Sequence, residues 1–146
     1  MIYTQLDQEA ALATLNKILE TELAGVVRYT HYSLMIFGHG RIPIVKWLRE
    51  QATESLDHAQ TAGELVTHFE GHPSLEIGPL LETHKHSIGD ILKESLEHER
   101  AAVQLYRDLL ALVAGCSVIL EEYARQMIAR EEGHIGDVLK MLRGQG

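Results

Sequence analysis

The chain contains a single cysteine, Cys116. It cannot close an intramolecular disulfide, so the sequence reads as one kept in a reducing compartment. No apolar run approaches the roughly 20 residues that cross a bilayer. The opening MIYTQLDQEAALATL lacks the basic and then apolar layout of a secretion signal. Basic residues are outnumbered: 13 Lys and Arg against 21 Asp and Glu leave a formal charge of −8. That balance, with no Lys-rich tail, argues against a nucleic-acid-binding surface. Period-2 alternation and low-complexity tracts are missing too, which removes support for strands. The expectation is a cytoplasmic protein with neither membrane nor nucleic acid as partner. At 146 residues and 45% hydrophobic content, the chain suffices for one domain, 1–146, with a real core.

Helix breakers concentrate in GHGRIP (38–43), EGHPSLEIGP (70–79), AGCS (114–117) and the terminal GQG. The stretches between them run about 25–35 residues, too long for strands. The spacing predicts helices at about 7–37, 44–70, 83–114 and 117–143, with Asp7 and Ser117 as N-caps. Apolar residues recur at helical intervals, as in Leu12, Leu15, Leu19, Val26 and Tyr29, or Leu120, Ala124, Met127 and Val138. Two short joins favour antiparallel hairpins. The middle join, about twelve residues, is long enough to cross the length of a bundle. The expected fold is therefore all-α: a four-helix bundle of two hairpins joined by a long crossover, with no internal repeat beyond that pairing.

Polar residues interrupt these stripes near mid-helix. They are Glu22 in the first helix, Glu54 and His58 in the second, Glu99 in the third, and Glu131 and His134 in the fourth. A lone Glu on a stripe is ordinarily a boundary residue that snorkels or pairs with Arg. Four at one level would cost several kcal/mol per ion, and no core-facing Arg or Lys is expected there. Two divalent cations would balance four carboxylates and two neutral imidazoles. Oxygen-plus-imidazole ligation suits iron or manganese, with zinc a possible substitute.

With these residues in place, the chain resembles the ferritin superfamily, and bacterioferritins most closely. The likeness runs through LNKILETELAGVVRY (15–29), ESLDHA (54–59), FEGHPSL (69–75), LKESLEHERAAVQLY (92–106) and REEGHIGDVL (130–139). It implies a ferritin-like bundle in which Glu22 and Glu99 are terminal ligands and His58 and His134 the imidazole ligands. Glu131 would bridge the two metals, and Tyr29 would stand beside them. The implied activity is that of a ferroxidase, oxidising Fe(II) with O₂ or peroxide at two iron ions per subunit. The implied partners are further copies of the chain, forming a shell that stores Fe(III) mineral. Two other functions remain open. One is peroxide scavenging at a di-iron or di-manganese site without storage. The other is a non-catalytic, Dps-like assembly module.

Three departures from the family pattern alter the expectations. The family's second-helix motif is Glu-x-x-His, whereas Ser55 lies three before His58 and the Glu is one residue earlier. Residues three apart on a helix differ by about 60° and residues four apart by about 40°, so Glu54 still shares a face with His58. Glu54 is expected as the second bridging ligand, by a long reach or through a π-bulge. Leu56 stands where the family's haem-ligating methionine would lie, so haem is not expected. The chain ends at MLRGQG, so no fifth helix is expected. The remaining histidines (His31, His39, His68, His72, His84, His86 and His98) read as solvated surface, a metal-entry position being the alternative for His84 and His86. Glu20, Glu64, Glu82, Glu94 and Glu121 read as solvated faces, Met35 as packing, and Cys116 as incidental.

Overall fold

The computed structural model describes residues 5–144. Residues 1–4, where the N-terminal reading begins, and 145–146 lie outside the described residues. The elements are α1 (Gln8–Leu34), α2 (Arg41–His68), α3 (Ile88–Val113) and α4 (Val118–Leu142). There is no strand among the described residues. Among the described residues no helix is long and apolar enough to cross a membrane.

Capping sets the boundaries. The Asp7 side chain accepts from the Ala10 N–H, Ser87 from Asp90, and Ser117 from Leu120. Each satisfies a donor that the first helical turn leaves free. Helix α2 starts three residues earlier than the sequence suggests, because Pro43 falls in its first turn, where a missing N–H costs nothing. Helix α3 starts five residues later than expected. His84 holds φ at +58°, the left-handed region, which cannot belong to a right-handed helix. The crossover is accordingly residues 69–87 rather than about a dozen residues.

The crossover climbs beside α1. Asn16 donates to the His72 carbonyl, the Gly78 N–H donates to the Glu20 carbonyl at 2.8 Å, and Arg28 donates to the Pro79 carbonyl at 2.9 Å. A Cβ at Gly78 would lie 3.0 Å from the Glu20 carbonyl oxygen, so this close approach requires glycine. The segment carries the chain back along the length of the bundle, and α3 runs in the direction of α2. Helix α1 packs on α2 and α3, and α3 packs on α4. The Cα atoms of α2 and α4 stay more than 8 Å apart throughout the described residues.

The core is split along its length. One cluster, with Leu15, Ile18, Val66, Tyr106, Leu109 and Leu120, fills one end. Two smaller ones, around Tyr29, Leu48 and Ile91 and around Leu92, Leu96 and Val138, fill the other. Between them lies a buried polar layer containing Glu22, His58, Glu99 and Glu131. Burying each charge costs several kcal/mol, more than the ~2 kcal/mol a buried Leu contributes, so packing alone does not explain the layer.

Candidate metal centre

All four helices deliver a donor to the layer. Glu22 on α1, His58 on α2, Glu99 on α3 and Glu131 on α4 are each at most 4% exposed. The Nδ1 of His58 lies 2.7 Å from Glu22 Oε2 and 3.3 Å from Glu131 Oε1. His134 Nδ1 lies 3.7 Å from Glu131 Oε2. The Tyr29 hydroxyl donates to Glu99. Two sets of donor atoms gather within 4.8 Å: Glu22, His58 and Glu131, and Glu99, Glu131 and His134. Glu131 belongs to both.

Glu54 enters differently from the expectation. It is not on the buried stripe of α2; Ser55 is. Helix α2 is regular throughout, with no π-bulge, so Glu54 comes in by reach from the rim. Its Oε2 lies 3.2 Å from His134 Nε2 and its Oε1 lies 3.8 Å from His58 Nε2. Its two oxygens therefore face two different imidazoles across the α2–α4 opening. Seven residues singled out from sequence, Glu22, Tyr29, Glu54, His58, Glu99, Glu131 and His134, meet here.

His98 corrects the surface reading. It is buried, edge-on to Tyr29, and its Nε2 has no hydrogen-bond partner. Its spacing from Ser95 and Ala102 is the available signal: three and four residues put it on the α3 stripe. Glu94 is a second correction, its side chain 9% exposed and bonded to Tyr32 and Thr83.

Electrostatics show what the layer lacks. Burial pushes Glu22 up to about 7, against the pull of His58. Burial also raises Glu99, with Glu131 facing it. For Glu131, burial is overcome by the nearby Glu99, His134 and His58, which hold it well below the usual carboxylate range. Burial opposes charge on His58 too, yet Glu131 and Glu22 lift it to about 9. Without cations, raised proton affinity at Glu22, Glu99 and His58 offsets the layer's negative charge. The neutralisation is incomplete in hydrogen bonds: His58 Nε2 and Glu131 Oε2 are buried with no partner. A divalent ion would use both atoms, so this donor set fits two hard-to-borderline cations.

Ser55 abuts the α1 backbone at Gly25. A Cβ on Gly25 would sit 2.8 Å from Ser55 Oγ and 3.0 Å from His98 Nε2. Gly25→Ala is therefore expected to lower stability by about 1 kcal/mol net, since overpacking costs roughly 1–3 and helix propensity returns up to ~1. Gly63, inside α2 with nothing within 4 Å of an added methyl, should show the opposite sign as Gly63→Ala. Urea denaturation midpoints decide; two substitutions of the same sign would contradict the packing argument.

The ferritin-like domain family model matches residues 12–144. The chain belongs to that family. This ferritin-like protein is 28% identical over 127 residues to bacterioferritin from Rhodobacter capsulatus, spanning 83% of this chain and 75% of that one. Solved structures that share its fold include the following three. A ferritin-like, diiron-carboxylate protein from Bacillus anthracis str. Ames is 18% identical (TM-score 0.88, 94% of this chain, 98% of the other). A dodecameric thioferritin from Bacteroides fragilis, described as bacterioferritin-related, is 22% identical (0.86; 95% and 88%). R. capsulatus bacterioferritin, solved with a metal-free dinuclear site and haem iron, is 24% identical (0.80; 90% and 82%). The ferritin-like protein thus combines the fold of these relatives with a carboxylate and imidazole layer suited to metal.

Proposed function

We propose that this ferritin-like protein is a ferroxidase that binds two iron ions per subunit in the polar layer and oxidises Fe(II) with O₂ or peroxide. The observation that carries the reading is the sharing of Glu131 between two donor sets in the layer. In it, Glu131 would serve both positions, Glu22 and His58 would complete one, and Glu99 and His134 the other. Glu54, reaching in from the rim, would be the second shared carboxylate. Iron held there would supply the electrons, one from each Fe(II), with O₂ or peroxide as the two-electron acceptor. Tyr29 orients Glu99 by donating to it, and the apolar clusters on either side exclude water from the layer. The named relatives, a bacterioferritin and a diiron-carboxylate protein, support this chemistry by likeness. Haem forms no part of the proposal, because Leu56, exposed on α2, has no ligating atom.

The proposal extends to storage of Fe(III) in a homo-oligomeric shell in the cytoplasm. Phe37, Ile42, Leu75 and Val118 are each more than 70% exposed on the single chain, apolar surface of the kind that subunit contacts cover. The thioferritin relative is dodecameric. A peroxide scavenger without storage is the second reading, and native mass separates them: a monomer at micromolar concentration removes the shell.

The test is anaerobic Fe(II) titration followed by oxidation monitored optically. Wild type should take up at least two ions per chain and oxidise them faster than buffer. Glu54→Ala should lose stoichiometry or slow oxidation by at least about tenfold, while Glu50→Ala on the exposed face should match wild type. Oxidation no faster than buffer overturns the ferroxidase reading. Normal stoichiometry and rate in Glu54→Ala overturn the second bridge.

A further inference from the structure

We propose that His31, Glu82 and His86 form a second metal site, on the outside of the bundle, that takes a divalent first-row transition ion such as Zn(II). It shares no residue with the polar layer and stands whether or not that layer is a ferroxidase.

The three residues come from two parts of the chain, α1 and the end of the crossover. His31 is in the last turn of α1, Glu82 is on the crossover, and His86 immediately precedes the Ser87 cap of α3. Their ligand atoms lie within 4.8 Å of one another. His31 Nε2 is 2.8 Å from Glu82 Oε2, and His86 Nε2 is 3.2 Å from Glu82 Oε1. Around an ion with bonds of about 2.0–2.2 Å, neighbouring donors fall roughly 3–3.5 Å apart, so the set needs little movement to close. Two imidazoles and one carboxylate, with positions left for water, suit Zn(II) or Fe(II) rather than Mg(II) or Ca(II).

The carboxylate is held in place before any ion arrives. The His84 N–H donates to Glu82 Oε1 at 2.5 Å, made possible by the left-handed turn at His84. This bond, with those from His31 and His86, keeps the Glu82 carboxyl down at about 2, so it is an anionic donor at neutral pH. Thr83 bonds to Glu94 on α3, and Arg28 on α1 bonds to the Pro79 carbonyl, which fixes the segment on both sides. The two histidine rings stand edge to face, 6.1 Å between centroids. Exposed His–Glu pairs contribute little by themselves, so the pairs alone do not account for a built and supported donor set.

The probe is Zn(II) alone at pH 7.5, titrated calorimetrically into the full chain. A Glu131→Ala/His134→Ala parent disables the buried layer, leaving one ion per chain bound at the outer site. Adding His31→Ala or His86→Ala to that parent should weaken this binding at least about 100-fold. Should the parent not fold, wild-type crystals soaked in zinc give the same answer: an anomalous peak in contact with His31, Glu82 and His86, lost in His86→Ala. Zinc binding unchanged by both histidine substitutions, or no peak among these residues, overturns the site. Neither result depends on Fe(II) oxidation by the polar layer.

Discussion

Glu131→Ala is expected to abolish binding at both metal positions, whereas Glu22→Ala and Glu99→Ala should each impair one more than the other. Only Glu131 contributes to both donor sets, and its Oε2 is buried with no other partner. Its removal leaves each set with one carboxylate and one imidazole, and it leaves His58 without its partner at 3.3 Å. Losing a direct ligand costs at least the roughly 10–100-fold seen for outer partners, and here the loss applies twice. Anaerobic Co(II) titration of these variants in a His86→Ala background, which removes the outer site, measures the outcome, with circular dichroism to confirm folding. Retention of one ion at wild-type affinity would mean that Glu131 does not bridge.

The second large effect is a metal-linked gain in stability that grows with pH. Glu22 and His58 have folded-state pKa values above their ordinary ones, about 7 against 4.5 and about 9 against 6.5. A raised group contributes its full stabilisation below its unfolded value and loses it as pH climbs through the folded one. The metal-free protein should therefore weaken between about pH 4.5 and 7 as Glu22 ionises, and again up to about pH 9 as His58 deprotonates. Glu131 has the opposite sign: held low, it stabilises above its ordinary range and loses that contribution in acid. Divalent ions replace the protons, so the loaded protein escapes the alkaline decline. At a hundredfold excess over Kd each ion adds about 2.7 kcal/mol, so two raise Tm by on the order of 10 °C. The difference in Tm between loaded and metal-free protein should be larger at pH 8.5 than at pH 6. A pH-independent difference would show that the ions do not displace these protons.

The bundle is legible in the sequence because its breakers and stripes are strong. Five ligand candidates stand out for the same reason, as polar residues at positions where periodicity demands apolar ones. Glu54 is harder, because its approach depends on side-chain reach from the rim, with Ser55 taking the buried position. His98 is masked by its neighbour Glu99, which already accounts for the gap in the stripe. The late start of α3 rests on a single backbone angle at His84, and local sequence carries little signal for a non-glycine residue in the left-handed region. The outer histidine cluster joins α1 to residues some fifty positions away, a separation of 51 between His31 and Glu82, so only tertiary structure assembles it.

The divided ownership of the polar layer bears on how the chain assembles. Glu22, Glu54 and His58 belong to the α1–α2 hairpin, and Glu99, Glu131 and His134 to the α3–α4 hairpin. Each hairpin is built from local contacts, while their docking requires closing the crossover loop, the slower and entropically costlier event. Neither hairpin holds a complete dinuclear set, and α2 and α4 make no close backbone approach that would join them without side chains. Docking is thus the step at which carboxylates are brought together and must be neutralised. Under the proposed metal binding, ion capture would lock the docked pair, and chains short of metal would dwell longer as two loosely joined hairpins open to proteolysis.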